Sequence, residues 1–129
     1  MNKKDILQFL NQYTLPTKEF IILSGAALVL FELKKETSDI DLSVTKKLYE
    51  NLLKQYNCTY EKKDKNGDAI YFIDSVLNFG LDYNDVSYTL YEGYQVQTPS
   101  SVKQLKLSLN RIKDKKDIDL IEKWEKSHG

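Results

Sequence analysis

Two carboxylates one residue apart, Asp39 and Asp41, are the pair in this sequence that is best placed to bind a cation. They lie in the segment 39–44, in which polar and apolar residues alternate as they do along a β-strand. Residues two apart on a strand point to the same face and lie about 6.6 Å apart along the chain. Close carboxylates repel unless a proton or a cation joins them, and Mg²⁺ prefers oxygen ligands. The pattern therefore predicts a magnesium site on one face of a strand.

The same three letters recur at Asp117-Ile118-Asp119, where the surroundings predict a different structure. Ile118, Ile121 and Trp124 follow a helical spacing, and residues two apart on a helix diverge by about 200° around its axis. This second pair therefore cannot chelate one ion, and we expect it to lie on a solvated helix face.

The segment that precedes the first pair is typical of a phosphate-binding turn. The apolar run 20–23 predicts a strand, Ser24-Gly25 predicts a tight turn, and the apolar segment 26–33 predicts a helix. Backbone N–H groups at the start of a helix lie at the positive end of its dipole, which suits a phosphate. Gly25 allows the backbone to approach a ligand closely.

A third acid could complete a carboxylate cluster, and Asp82 is the leading candidate. It follows the apolar residues of a predicted strand, 76–83, on which Asn78 and Asp82 share a face. The spacing leaves two interpretations open: Asp82 joins the first pair, or it is exposed where the strand ends. Asp74, at a predicted turn, and Asp85, beyond the strand, are weaker candidates.

The elements that must position these residues alternate along the chain and predict an α+β fold. Helices are predicted at 3–13 (ended by Pro16), 26–33, 46–56 (capped by Thr45), 99–112 (capped by Thr98) and 114–126. Strands are predicted at 20–23, 39–44, 58–62, 69–73 and 76–83, and the segment 89–96 is expected to form one edge strand or two, interrupted at Glu92-Gly93. We expect a mixed β-sheet with helices packed on one side and two C-terminal helices. The first C-terminal helix has an apolar stripe that we expect to be buried, beside a polar stripe that includes Lys106. The apolar stripe consists of Val102, Leu105, Leu109 and Ile112.

The composition is that of one soluble domain, residues 1–129. Hydrophobic residues make up 41% of the chain and charged residues 29%, and the longest apolar run, 26–31, is too short for a membrane span. The N-terminal stretch carries Asp5 among its apolar residues, so no signal peptide is expected. Cys58 is the only cysteine, which excludes an internal disulfide. We therefore expect a cytoplasmic protein with no membrane partner.

Basic and acidic residues balance at 19 each, so a general attraction to nucleic acid is not implied. The distribution is uneven, because the segment Lys103–Lys116 carries six basic residues against one acid, Asp114. A solvated helix face is the usual explanation. The alternative is a nucleic-acid-binding protein that uses this segment, and its affinity would fall steeply with salt.

In combination these motifs resemble the nucleotidyltransferase superfamily with the polymerase-beta-like core. They are most similar to its small bacterial members, which include abortive-infection toxin enzymes and lincosamide-resistance enzymes. In that family an apolar strand runs into a Gly-Gly or Gly-Ser turn, an Arg-x-Thr-x-Asp-Ile-Asp segment follows, and a third acid stands on a later strand. The subfamily ends with Leu-Lys-Leu and then Arg-x-Lys-Asp-x-x-Asp-Ile. These motifs correspond in order to Ser24-Gly25, Lys35-Glu36-Thr37-Ser38-Asp39-Ile40-Asp41, Asp82, Leu105-Lys106-Leu107 and the segment Arg111–Ile118.

The resemblance implies transfer of a nucleoside monophosphate from a nucleoside triphosphate, such as ATP, to an acceptor hydroxyl, with release of pyrophosphate. It implies that Asp39, Asp41 and Asp82 bind two Mg²⁺ ions (or Mn²⁺) about 3.5–4 Å apart, and that Asp82 also helps to deprotonate the acceptor. The residues that it assigns to the nucleotide are Ser24, Gly25, Lys35, Thr37, Ser38, Lys106, Arg111 and Lys113. For Arg111 and the acids of 114–117, a structural ion-pair network between the last two helices is the alternative.

Two residues depart from the family pattern. Ser24 stands where the family has its first turn glycine, and Lys35 stands where it has arginine, which keeps the charge but loses bidentate phosphate geometry. These departures leave open a catalytically inactive nucleotide- or partner-binding module of the same fold. The resemblance leaves the acceptor open among tRNA, a protein and a small molecule, and its toxin members imply an antitoxin partner.

Overall fold

The computed structural model describes residues 1–81 and 86–128, and it shows an α+β fold with a mixed β-sheet. The described helices are Lys3–Tyr13 (α1), Ser24–Leu30 (α2), Lys46–Gln55 (α3), Pro99–Leu109 (α4) and Lys115–His128 (α5). The described strands are Phe20–Leu23 (β1), Ile40–Val44 (β2), Thr59–Lys63 (β3), Ala69–Ile73 (β4), Leu77–Gly80 (β5), Tyr88–Tyr91 (β6) and Tyr94–Gln97 (β7). No helix within these two ranges is long and apolar enough to cross a membrane.

The strands form one sheet in the order β3-β4-β5-β2-β1-β7-β6. β1 pairs antiparallel with β2, whereas the β2–β5 and β1–β7 pairs are parallel, so the predicted mixed sheet is confirmed. In this register Asp41 of β2 lies between Leu23 of β1 and Asn78 of β5. Because residues directly opposite each other share a face, the pairing brings polar residues of neighbouring strands together.

The two faces of the central strands differ in chemistry. One face forms the core, and its strand residues are Phe20, Ile22, Ile40, Leu42, Val44, Leu77, Phe79 and Val96. Buried residues of all five described helices join this cluster, for example Ile6 of α1 and Ile121 of α5. The opposite face carries Asp41, Asn78 and Ser43. Burial of each large core side chain stabilises the fold by about 1.5–3 kcal/mol, and this packing holds the polar face in place.

The helix starts follow the predicted capping residues. Thr45 and Thr98 each accept a hydrogen bond from a backbone N–H in the first turn, of α3 and α4 respectively. Helix α1 ends at Tyr13, as predicted, because Thr14 takes the left-handed conformation with φ 46°. Pro16, which was expected to end this helix, lies beyond that cap, so this expectation was wrong.

Helix α4 buries less of its apolar stripe than its spacing predicts. Val102 is fully buried. Leu105, Leu109 and Ile112 are 41%, 46% and 93% exposed, so their predicted burial is wrong. Ile112 lies beyond the end of α4 at Leu109, and the two leucines face a cavity instead of the core. Lys106, which was placed on the polar stripe, is buried.

The two edges of the sheet are built differently. β3 carries Glu61 and two lysines, and its pairing with β4 shifts register after Tyr60. β6 has no charged side chain, and its Leu90 is 71% exposed. Charges and irregular pairing keep edge strands from pairing with other chains, so β3 has this protection and β6 does not.

Candidate functional site

A cavity of about 610 Å³ opens on the polar face of the sheet, which is a size that suits a small-molecule ligand. Its walls come from the β1–α2 junction, the segment 37–39, the polar faces of β2 and β5, and the second half of α4 with the turn after it. The predicted site residues that line it are Ser24, Gly25, Thr37, Ser38, Asp39, Asp41, Lys106, Arg111 and Lys113. The fold therefore gathers into one cavity most of the residues that the sequence assigns to one site.

Two predicted site residues are not part of this lining. Lys35 is exposed, and its neighbour Lys34 lines the cavity instead. Asp82 lies outside the described residues. Within residues 1–81 and 86–128, no group of three or more His, Cys, Asp or Glu side chains is placed to hold a metal ion. Of the three acids predicted to form the carboxylate cluster, Asp39 and Asp41 lie within the described residues.

Asp39 immediately precedes β2, Asp41 is the second residue of this strand, and both line the cavity, as their spacing predicts. Burial raises the pKa of the Asp41 carboxyl above its ordinary value. A hydrogen bond from Asn78 lowers this pKa, and the charge of Asp39 raises it. The net rise means that a negative charge on Asp41 is disfavoured in the protein alone, so a proton or a cation in the cavity would relieve it.

Asn78 and Ser43 add neutral polar groups beside Asp41. The Asn78 Nδ2 donates a hydrogen bond of 2.7 Å to Asp41 Oδ1. Asn78 is 7% exposed and Ser43 is 1% exposed, and both line the cavity. Within the described part of the chain, Asn78 Oδ1 and Ser43 Oγ have no hydrogen-bond partner. Buried polar atoms usually have one, so these two oxygens indicate a place for a ligand atom.

The β1–α2 junction does not present its first N–H group to the cavity as expected. The Ser24 backbone N–H donates to Gln97 Oε1 at 2.9 Å, and Gln97 Nε2 donates to Ser101 Oγ at 3.0 Å. Helix α2 begins at Ser24 itself and spans only 7 residues. The predicted phosphate contact therefore cannot come from the Ser24 N–H while this bond is made, although the residue lines the cavity.

Gly25 is needed for close packing rather than for an unusual backbone angle. A Cβ atom at this position would stand 3.0 Å from Thr37 Oγ1 and 3.9 Å from Lys34 Nζ. The absence of a side chain thus lets the β1–α2 junction lie against the segment that leads into Asp39. This contact fixes the spacing between two of the cavity walls.

The cavity that contains Asp39 and Asp41 is also lined by cations of α4, of the turn after α4 and of the segment after α2. Lys106 Nζ lies 3.1 Å from Asp114 Oδ1 and 3.4 Å from Asp117 Oδ2. Lys34 Nζ lies 3.3 Å from Asp117 Oδ2, and Arg111 Nε lies 2.6 Å from Asp114 Oδ2. These five residues are named the ion-pair cluster below. With Lys113, which also lines the cavity, this side has four cations and two carboxylates. The lining as a whole is balanced, because Asp39, Asp41, Glu61 and Lys62 also belong to it.

Three of the five residues of the ion-pair cluster are buried, and this corrects the expectation for Asp117. Asp114 is 3% exposed, and Lys106 and Asp117 are each 8% exposed. The second Asp-x-Asp pair therefore divides, because Asp117 enters the cluster whereas Asp119 stays exposed on the helix. The structural ion-pair network that the sequence left open is present. Its members line the cavity as well, so a structural role and a ligand-binding role do not exclude each other.

Sequence reasoning missed Lys34, Asn78, Ser43 and Gln97 as parts of this region. For Asn78 a signal existed, since it is a polar residue within an otherwise apolar strand. Its place beside Asp41 depends on the parallel register of β2 and β5, which local sequence does not reveal. For Lys34 no signal separated it from Lys35.

Comparison with known proteins gives no match of any of the three kinds sought. The chain matches no protein-family model, no curated protein and no solved structure.

Proposed function

We propose that this protein is a metal-dependent nucleotidyltransferase with a polymerase-beta-like core, which moves a nucleoside monophosphate from a nucleoside triphosphate to an acceptor hydroxyl. One observation carries the proposal: Asp39 and Asp41 share a cavity with a cluster of net positive charge. A divalent cation and a polyphosphate together would satisfy both sides of such a cavity, because each neutralises part of the other's charge.

The carboxylates of Asp39 and Asp41 fit a divalent cation, since they line the same cavity and the charge of Asp39 disfavours ionisation of Asp41. When bound, Mg²⁺ or Mn²⁺ supplies charge neutralisation at the attacking and leaving oxygens. For Asp82 we retain the role that the resemblance implies, which is to complete the carboxylate set and help deprotonate the acceptor. Pyrophosphate would leave towards the cationic wall, which is the name used here for Lys34, Lys106, Arg111 and Lys113 of the cavity lining.

The residues of the cationic wall have different roles in this proposal. Lys113 is exposed and can turn towards a phosphate, whereas Lys106 is held by Asp114 and Asp117. Arg111 is exposed and pairs with Asp114 through Nε, which leaves its remaining N–H groups for a phosphate. Lys34 takes the place that the family pattern gives to the residue at 35. The hydroxyls of Ser24, Thr37 and Ser38 can donate to phosphate oxygens, since all three residues line the same cavity.

The test is transfer of label from each α-labelled nucleoside triphosphate, with Mg²⁺ or Mn²⁺, into total cellular RNA, protein and small-molecule pools. Wild type should label one pool, and the Asp39→Asn/Asp41→Asn double variant should label none while keeping its circular dichroism spectrum. Asp119→Asn, an exposed aspartate on α5, is the matched control and should transfer like wild type. Undiminished transfer by the double variant would contradict the proposal. The labelled pool would identify tRNA, a protein or a small molecule as the acceptor, in a cytoplasmic reaction.

Asn78 favours a second candidate, a nucleotide- or partner-binding module of the same fold that has lost catalysis. The position beside Asp41 on the neighbouring strand carries an amide, which cannot act as a base. Such a module would bind triphosphate without consuming it, and an antitoxin-like partner would be its natural binding protein. Calorimetry that detects triphosphate binding, together with no transfer into any pool, would favour this candidate.

A further inference from the structure

The parallel pairing of β2 and β5 places Asn78 directly beside Asp41, on the face that lines the cavity. The Asn78 Nδ2 donates to Asp41 Oδ1 at 2.7 Å, and the residue is 7% exposed. This hydrogen bond fixes which end of the amide faces the carboxylate, because the reversed amide would set its carbonyl oxygen against a carboxylate oxygen. Asn78 Oδ1 therefore points away from Asp41 Oδ1.

The other end of the same amide is not satisfied by the described residues. Asn78 Oδ1 is buried and accepts no hydrogen bond within residues 1–81 and 86–128. A buried acceptor without a partner is unfavourable, so a group that the described residues do not supply is its natural partner. That group must be a hydrogen-bond donor or a cation, since a carbonyl oxygen can only accept.

The neighbourhood favours a cation. Asp39 and Asp41 already place two carboxylates in this cavity, and side-chain carbonyl oxygens are ordinary ligands of hard divalent ions. We propose that Asn78 Oδ1 is a neutral third protein ligand for the divalent cation that Asp39 and Asp41 bind. The inference rests on the proposed function for the cation itself, but it assigns a residue outside the acids on which that function depends.

A neutral third ligand has a consequence for how tightly the cation is held. Asn78 adds a ligand oxygen without adding charge, so Asp39, Asp41 and Asn78 together carry a formal charge of −2. Divalent-ion affinity rises with the number of charged ligands, so the free cation is held less tightly than it would be with an acid at position 78. Triphosphate oxygens supply the missing negative charge, and we therefore expect cation and nucleotide to bind with mutual enhancement.

The experiment measures Mn²⁺ affinity by calorimetry on the whole chain without nucleotide. Asn78→Asp should tighten binding by about tenfold because it adds a charged ligand, and Asn78→Ala should weaken binding several-fold because it removes one. Asn51→Asp makes the same chemical change on the exposed surface of α3, and it should leave the affinity of wild type unchanged. Without metal, Asn78→Asp should melt at a lower temperature than wild type, and Mn²⁺ should restore the difference.

The outcomes separate this inference from the function on which it rests. If Mn²⁺ binding depends on Asp39 and Asp41 but is equal in wild type, Asn78→Asp and Asn78→Ala, only the role of Asn78 is overturned. If wild type binds neither Mn²⁺ nor triphosphate, the proposed function fails as well. Should a variant not fold, the ¹³C resonance of the Asn78 carbonyl in wild type decides. It should shift with Mg²⁺, and an unmoved resonance in Mg²⁺-saturated protein would overturn the assignment.

Discussion

Ser24 shows how a single backbone angle links the cavity to stability. Its φ is 51°, in the left-handed region, where a non-glycine residue costs roughly 1–2 kcal/mol. The strain stands at the point where β1 passes directly into α2, with the Ser24 N–H committed to Gln97. Ser24 lines the cavity, so the protein has a hydroxyl group there at the cost of a strained backbone conformation.

Ser24→Gly should raise the free energy of unfolding by up to about 1 kcal/mol. Glycine adopts positive φ without strain, and its extra freedom in the unfolded chain, roughly 0.5–1 kcal/mol, cancels part of the gain. Urea unfolding measures the change. Ser108→Gly, within α4 at an ordinary helical angle, should instead lower stability by about 0.5 kcal/mol. Equal losses in both variants would show that Ser24 is not strained.

At the scale of elements, the ion-pair cluster joins α5 to α4 and to the end of α2. Lys106 on α4 and Lys34, which follows α2, share Asp117 on α5. Burial raises the pKa of the Asp114 carboxyl, but hydrogen bonds from Arg111 and Lys106 outweigh burial, and the pKa lies below its ordinary value. The ion pairs of the cluster therefore favour the charged form of Asp114.

Asp114→Asn should lower the free energy of unfolding at pH 7 by about 3 kcal/mol, because it leaves buried Lys106 with one carboxylate fewer. Because the folded pKa of Asp114 is lowered, its stabilising contribution is complete above the unfolded value of about 3.9 and is lost as pH falls through the folded value. The difference in the free energy of unfolding between wild type and Asp114→Asn should therefore become smaller as the pH falls.

Urea unfolding from pH 7 to pH 3 tests this dependence. Asp119→Asn, on the exposed side of α5, should stay within about 0.5 kcal/mol of wild type at each pH. A gap for Asp114→Asn that does not vary with pH would mean that its effect is one of packing rather than of charge.

What the sequence could predict follows the range of the interactions that decide each feature. The strands at 20–23 and 69–73 were predicted to the residue, since short apolar runs bounded by turn residues determine them. The burial of Lys106 was not, because its carboxylate partners lie on another helix. The exposure of Leu105 was missed for the same reason, since helical spacing identifies an apolar stripe but not the element that covers it.

The candidate site follows the same rule. The spacing of Asp39 and Asp41 predicted that both would line one cavity, because a strand of any register places them on one face. The pairing of Asp41 with Asn78 depends on parallel strands that are far apart in sequence, so no local pattern could reveal it. The same limit applies to the bond between Ser24 and Gln97.

For the whole molecule, the uncharged edge strand β6 has a consequence for solubility. The chain has a formal net charge of zero at pH 7, so long-range repulsion between copies is weak. Leu90→Lys should reduce concentration-dependent association, as measured by light scattering, without lowering the melting temperature. Tyr60→Lys on β3, where charges already protect the edge, is the matched control and should change little.

If Leu90→Lys and Tyr60→Lys scatter alike, the β6 edge is not where copies meet. If only Leu90→Lys reduces scattering, the four residues of the edge strand β6 determine the concentration up to which the protein remains monomeric. Crowded or low-salt conditions would then act first on that strand, at the opposite border of the sheet from the charged strand β3. A substitution at Leu90 alone would then change the tendency of the protein to associate, without any change in the cavity.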